Sequence, residues 1–288
     1  MSSNTAVAAA QENLRSVPRE PGAPKPDPIL VADSVTRTFG GLTAVDVKHL
    51  EVQRGAITAL IGPNGAGKTT LFNLLTGFDQ PDTGTWQFDG KNMEGLRSYK
   101  VARMGMVRTF QLTKALSKMT VLDNMRLGAP AQRGEHFWSS LLPFTWQSQE
   151  QKVTKRAREL LQHFKLGDKE DDFAGSLSGG QRKLLEMARS LMVEPTLVML
   201  DEPMAGVNPA LKQSLLDHIR ELRSDGMSVL FVEHDMDMVR DVSDWVIVMG
   251  QGRIIGEGPP EEVMKSQAVI DAYLGEHHDA SLDTGEGN

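Results

Sequence analysis

The 288-residue chain has no cysteine, which excludes disulfides and thiolate metal sites. It has no apolar run approaching the roughly 18 residues that cross a bilayer, so any membrane role is expected to come through a partner. It has no excess of positive charge: the basic residues are scattered and the formal charge is −7, which argues against a surface built mainly to hold nucleic acid. Its N-terminus has no basic patch followed by an apolar core, so no secretory signal is expected. What the chain does have is 40% hydrophobic residues, enough for one sizeable core with a smaller lobe or tail.

The stretch around which the rest is organised is Ile57–Thr70, ITALIGPNGAGKTT. The apolar run Ile57–Ile61 reads as a buried strand that empties into Gly62, Pro63, Asn64, Gly65, Ala66, Gly67, Lys68 and Thr69, matching G-x-x-x-x-G-K-[ST]. Glycines at those positions let the backbone curl around an anion and aim successive N–H groups at it. Lys68 is suited to neutralise β- and γ-phosphates, and the Thr69 hydroxyl to ligate the Mg²⁺ between them. Thr70 follows in a segment, Lys68–Gly77, whose Leu71, Phe72, Leu74 and Leu75 predict a helix with its positive end at the phosphates. A glycine-rich turn that binds nothing is the alternative, but strand, loop, lysine, hydroxyl and helix all occur in order. One such unit fits the chain; two do not.

Residues 1–28 carry prolines at 18, 21, 24, 26 and 28 and lack hydrophobic periodicity, which predicts a disordered or extended arm. From Ile29 the runs ILVADSVTRTF and LTAVDVKHLEV predict a small antiparallel sheet. Phe39 ends the first run, where its ring would either stack on adenine or fill the core. Thr85–Phe88 with Asp89-Gly90 reads as a strand and turn, Ser98–Met104 as a helix, and Met106–Phe110 as a strand delivering Gln111. Helices are expected at Val121–Leu127 and Gln147–Phe164. Between them Ala129–Trp146 holds Phe137, Trp138, Leu141, Leu142, Phe144 and Trp146, either a docking face or the packed inner side of a helical lobe. The fifteen methionines read as core filler and His277-His278 as part of a solvated tail.

Leu177, Ser178, Gly179, Gly180 and Gln181 open a strongly amphipathic helix. Ser178 is a good cap, and the glycines leave helix N–H groups open to an anion. Leu197–Leu200 is an apolar strand ending in two carboxylates, with Asp201 suited to Mg²⁺ and Glu202 to polarising a water. Asn208–Arg223 reads as a helix and Met227–Val232 as a buried strand ending in Glu233-His234-Asp235, which brings His234 toward the same crevice. Trp245–Met249 and Arg253–Glu257 predict a hairpin, followed by two short helices up to Leu274.

Taken together these residues resemble the ATP-binding cassette (ABC) ATPase family over about Ile29 to Gly275. GPNGAGKT is similar to its Walker A loop, FQ at 110–111 to its Q-loop, LSGGQ to its signature and LVMLDEP to its Walker B strand; Ala205–Asn208 falls at the D-loop and His234 at the switch histidine. Gly206-Val207-Asn208 departs from the frequent D-loop form. The resemblance implies an α/β P-loop cassette over 29–275, with an antiparallel subdomain, a helical signature subdomain at about 112–190, a C-terminal segment at 252–275 and a flexible tail at 276–288. It also implies ATP and Mg²⁺ as cofactors: Lys68 and Thr69 on phosphate and metal, Asp201 on metal, Gln111 sensing metal and attacking water, Glu202 as general base and His234 on the γ-phosphate. Phe39 falls at the adenine-stacking position. Ser178, Gly179, Gly180 and Gln181 would act on the nucleotide of an opposite cassette, in a head-to-tail homo- or heterodimer.

FGGLTAV, RTFQ, DEPMAGVNP, VEHDMDMV and EGPPEEVMKSQAVIDAYLGE resemble the ATPase subunits of bacterial importers for branched-chain amino acids. That implies two integral-membrane permeases as partners, a substrate-binding protein acting indirectly, no nucleic acid, and a place on the cytoplasmic face of the membrane. Cassettes for urea, short amides or aromatic acids share the phrases, and lipid or polysaccharide exporters share EHDM and the short tail. Lys68→Ala is expected to abolish nucleotide binding in a fluorescent-ATP titration; unchanged affinity would remove the loop from the argument.

Overall fold

The computed structural model describes residues 3–109, 116–130 and 143–273. The chain starts with helix α1 (Ser3–Arg15) and continues through strands β1 (Pro28–Phe39), β2 (Leu42–Gln53) and β3 (Ile57–Ile61) to helix α2 (Lys68–Leu75). Strands β4 (Thr83–Phe88) and β5 (Lys91–Asn92), helix α3 (Ser98–Arg103) and strand β6 (Met106–Arg108) follow. A helical lobe contains α4 (Val121–Arg126), α5 (Pro143–His163) and α6 (Gly179–Ser190). The chain then alternates through β7 (Leu197–Asp201), α7 (Pro209–Ser224), β8 (Ser228–Val232), α8 (Met236–Val242), β9 (Trp245–Gly250), β10 (Arg253–Gly258) and α9 (Pro260–Val263).

Two sheets result. The antiparallel one runs β2-β1-β4-β5, and the larger one runs β10-β9-β3-β8-β7-β6, parallel from β9 to β6 with β10 antiparallel at its edge. Every residue of β3, β7, β8 and β9 is buried, as expected where helices or a second sheet cover both faces and each strand is one apolar run. Alternate residues feed opposite cores, as the two-residue period of a strand requires. Val198, Leu200, Val229, Phe231, Val246 and Val248 pack toward the helical lobe and α7, while Leu197, Met199, Leu230, Val232, Ile247 and Met249 pack toward α2 and the antiparallel sheet.

From Ile29 onward the described elements follow the expected pattern, with shifts at the ends. Helix α5 begins at Pro143 rather than at residue 147, since a proline costs nothing in the first helical turn, where its missing N–H would have no partner. Gln111, most of the 129–146 stretch and the 276–288 tail lie outside the described residues.

The N-terminal arm departs from expectation. Residues 1–28 were expected to be disordered or extended, yet Ser3–Arg15 is a helix, and Ala10, Leu14, Val17 and Ala23 are buried in the core beneath the antiparallel sheet. The proline-rich stretch after α1 is held by a buried ion pair. Lys25 Nζ lies 2.5 Å from Glu257 Oε2, with the two side chains only 1% and 2% exposed. Glu257 also accepts bonds from the Ala23 N–H at 2.6 Å and from Trp245 Nε1 at 2.9 Å, and the Lys25 N–H donates to Glu51 at 2.5 Å. Composition pointed the wrong way because the apolar residues that anchor the arm are few, and because the charge that needs Lys25 lies more than two hundred residues away in sequence.

Removing one partner of such a pair leaves a buried charge uncompensated, at a cost of roughly 3–5 kcal/mol. Lys25→Met is therefore expected to lower the urea midpoint by a corresponding amount, and Lys25→Met with Glu257→Gln to cost less than the sum of the single changes. An unchanged midpoint in Lys25→Met would mean that the arm does not stabilise the fold.

Candidate functional site

The carboxyl ends of β3, β8 and β7 lie side by side, because β3 pairs with β8 and β8 with β7 in parallel register. The loop between β3 and α2 wraps back on itself. Gly62 has φ 150°, and a Cβ there would sit 2.2 Å from the Met249 carbonyl oxygen; Gly67 has φ 97°, and a Cβ would sit 2.3 Å from that of Ala44. Backbone close approach therefore requires both glycines. Asn64, Gly65 and Thr69 are exposed, Pro63 and Thr70 are half-buried, and Ala66 is buried. Lys68 is buried, with Nζ donating to the carbonyls of Gly62 and Pro63 at 2.7 Å each, so its charge is held over the loop.

Across from this loop, Glu202 Oε1 lies 2.9 Å from His234 Nε2. Glu202 has φ 47°, a left-handed conformation for a residue with a Cβ, and its N–H donates to the Val232 carbonyl at 3.0 Å. Backbone held in this region at the end of a buried strand is a form of strain concentrated at functional sites. The neighbouring Glu233 is buried and accepts from the N–H groups of Met204 and His234. Burial raises its pKa above the usual carboxylate range, although those backbone bonds pull the other way.

Asp201 ends β7 as expected, but it has a partner that the sequence reading did not assign. Arg108, at the end of β6, donates to Asp201 Oδ2 at 2.6 Å and to Asn73 Oδ1 on α2 at 2.6 Å, and both charged side chains are almost fully buried. The guanidinium lies near the rings of Phe72 and Phe78. RTFQ is visible as a phrase in the sequence, yet nothing in it says that its arginine reaches a carboxylate on another strand.

Ser178 caps α6 in a full capping box: its hydroxyl accepts from the Gln181 N–H at 3.2 Å, and Gln181 Oε1 accepts from the Ser178 N–H at 3.0 Å. Ser178 and Gly179 are exposed. A Cβ on Gly180 would fall 1.8 Å from the end of the Leu211 side chain, so α6 packs closely on α7 there and a larger residue would have to displace that leucine. One turn on, Lys183 reaches back to the segment after β7 and donates to the carbonyls of Pro203, at 3.0 Å, and Ala205. Burial lowers the Lys183 pKa, against the pull of Glu233, Glu186 and Glu202. The signature helix is thus tied directly to the turn that carries Glu202. Asn208, at the end of that turn, caps α7 by accepting from the Leu211 N–H at 3.0 Å.

Phe39 is 49% exposed, so it does not fill the core, and the Arg37 guanidinium lies 4.7 Å from its ring centre. Among the expected site residues, the structure joins Glu202 to His234 and sets Lys68 over its own loop. It leaves Phe39, Ser178 and Gly179 on the surface.

The sequence profile of the family described as "ABC transporter" matches residues 45–205, and that of "Branched-chain amino acid ATP-binding cassette transporter" matches residues 253–279. The chain is 40% identical over 251 residues to the high-affinity branched-chain amino acid transport ATP-binding protein BraF of Pseudomonas aeruginosa, an alignment covering 86% of this chain and 98% of the relative. It is similar in structure to a nucleotide-free ATP-binding cassette from an ABC transporter, with TM-score 0.74 and 36% identity, covering 85% of this chain and 98% of that one. A cassette solved in its ADP conformation gives TM-score 0.73 and 34% identity, covering 86% and 99%.

The Arg108–Asp201 pair generates a stability prediction. Arg108→Met leaves Asp201 buried without its cation and is expected to cost roughly 3–5 kcal/mol in chemical unfolding. Adding Asp201→Asn should recover part of it, with a coupling of about 0.5–3 kcal/mol in the double-mutant cycle. Strictly additive costs would contradict the pairing.

Proposed function

The chain belongs to the ABC transporter family and is an ATPase, and on that premise we propose that it is the energy-coupling subunit of an importer for branched-chain or other hydrophobic amino acids. The observation that carries the hydrolytic reading is the Glu202–His234 contact of 2.9 Å, at the ends of β7 and β8, facing the loop that follows β3. The cargo reading is supported by the profile match over residues 253–279 and by the likeness to BraF.

In this reading the N–H groups of residues 62–67 and the ammonium of Lys68 hold the phosphates, and Phe39, exposed at the end of β1 in the antiparallel sheet, stacks on the adenine. The donors toward a metal are the Thr69 hydroxyl, the Asp201 carboxylate and Gln111. They are hard oxygen ligands of the kind Mg²⁺ takes, and Thr69 is exposed beside the phosphate loop. When bound, Mg²⁺ supplies charge neutralisation on the β- and γ-phosphate oxygens. Glu202 accepts the proton of a water as that water attacks the γ-phosphorus in line. The bond from that phosphorus to the bridging oxygen breaks, and ADP leaves with the bond's electrons. His234, oriented by Glu202, holds the γ-phosphate, and Lys68 absorbs the developing charge.

Ser178, Gly179, Gly180 and Gln181 are surface-accessible to different degrees on the helical lobe and serve the nucleotide of a second cassette, alike or different, in a head-to-tail dimer. The dimer couples to two integral-membrane permeases at the cytoplasmic face, with a substrate-binding protein delivering cargo from the other side. Closing on ATP and reopening after hydrolysis requires the two states to bind nucleotide unequally.

Glu202→Gln keeps the shape of the side chain but removes the base. It is expected to retain ATP, to accumulate a closed dimer on size exclusion, and to lose at least about a hundredfold in turnover. Turnover at the wild-type level would remove Glu202 from the role of general base.

A further inference from the structure

Away from the phosphate loop, three side chains with metal-ligating atoms converge between the helical lobe and the core. His163 is the last residue of α5, and His218 and Glu221 lie three residues apart on one face of α7. Glu221 Oε2 is 3.1 Å from His163 Nε2 and 2.8 Å from His218 Nδ1, and the three candidate ligand atoms all lie within 4.8 Å of one another. Donors sharing one tetrahedral cation at bond lengths of about 2.0–2.2 Å stand roughly 3.4 Å apart. Two of the three separations are already near that value. The third closes by turning the His163 ring, which is partly exposed, while His218 stays in place against Phe164 at a ring separation of 4.4 Å.

Two imidazole nitrogens and one carboxylate form a donor set for Zn²⁺ or a similar borderline cation, not for Mg²⁺ or Ca²⁺, which take oxygen ligands. An open cleft lined by Arg156, Glu159, His163 and Glu194 reaches the cluster at His163 and gives a cation a way in from that side.

We propose that His163, His218 and Glu221 form a binding site for a borderline divalent cation, Zn²⁺ or its chemical neighbours, that bridges α5 of the helical lobe to α7 of the core. Coordination through His218 Nδ1 leaves the ring proton on Nε2, a buried atom with no hydrogen-bond partner among the described residues. An occupied site fastens the end of α5 to α7. It thereby restrains the lobe that carries Ser178–Gln181 against the sheet that carries Glu202. The binding itself requires nothing of the proposed transport function.

The test is a Zn²⁺ titration of the full chain in Mg²⁺-free buffer, read by competition with a chromophoric chelator. The wild type is expected to bind one equivalent, and so is the His277→Ala/His278→Ala variant, which removes the other adjacent histidines of the chain. His163→Ala and Glu221→Gln, both at partly exposed positions, are expected to lose at least about tenfold in affinity. Melting curves without Zn²⁺ should show these two variants as stable as the wild type, and Zn²⁺ should raise the melting temperature only of chains that keep all three residues. Equal Zn²⁺ affinity in the wild type, His163→Ala and Glu221→Gln would overturn the site, as would loss of binding in the tail variant alone.

Discussion

A sheet buried on both faces tolerates charge only at the ends of its strands, and the rest of this molecule follows from that constraint. In β3, β7, β8 and β9 the side chains alternate between two apolar cores. An ionised group inside either would cost several kcal/mol unless it were paired. Charge therefore collects where the strands stop: Lys68 at the start of α2, across the loop from β3, Asp201 and Glu202 at the end of β7, Glu233 and His234 past β8, and Arg108 at the end of β6. Parallel pairing brings those ends to one side, and a fold that must put its charges somewhere becomes one that concentrates them around a phosphate loop.

Several of these charges are held by partners from a different element, and those partners connect parts of the chain that a domain description would separate. Arg108 joins β6, β7 and α2 through Asp201 and Asn73. Lys183 joins the signature helix to the turn after Glu202. The helical lobe is therefore hydrogen-bonded directly to the backbone that follows the proposed base. At the opposite side of the fold, the Lys25–Glu257 pair fastens the N-terminal arm to β10 and, through Glu51, to β2.

Much of the site was legible in the sequence because its signals are local. The phosphate loop, the Ser178 helix cap and the apolar strands leading to Asp201 and His234 each occupy fewer than a dozen consecutive residues, and each carries its own physical reason at that spacing. The α/β cassette with its antiparallel subdomain was legible for the same reason. What escaped was non-local. Nothing near Arg108 announces Asp201, nothing near Lys183 announces the carbonyls of Pro203 and Ala205, and nothing near Lys25 announces Glu257. Helix α1 escaped because its buried contacts rest on a few small or apolar residues in a polar, proline-flanked stretch, where composition suggests an unstructured chain. Phe39 was left between core and stacking from sequence, and its exposure decides against the core.

The most direct measurement of the central claim, that this cassette works a membrane importer, is to tag the chain in its native cell, solubilise the membranes gently and identify what copurifies. The account predicts two integral-membrane permeases, a second cassette and an amino-acid-binding protein. Recovery only from the cytosol, with ribosomes or DNA, would contradict it and leave an ATPase with a different task.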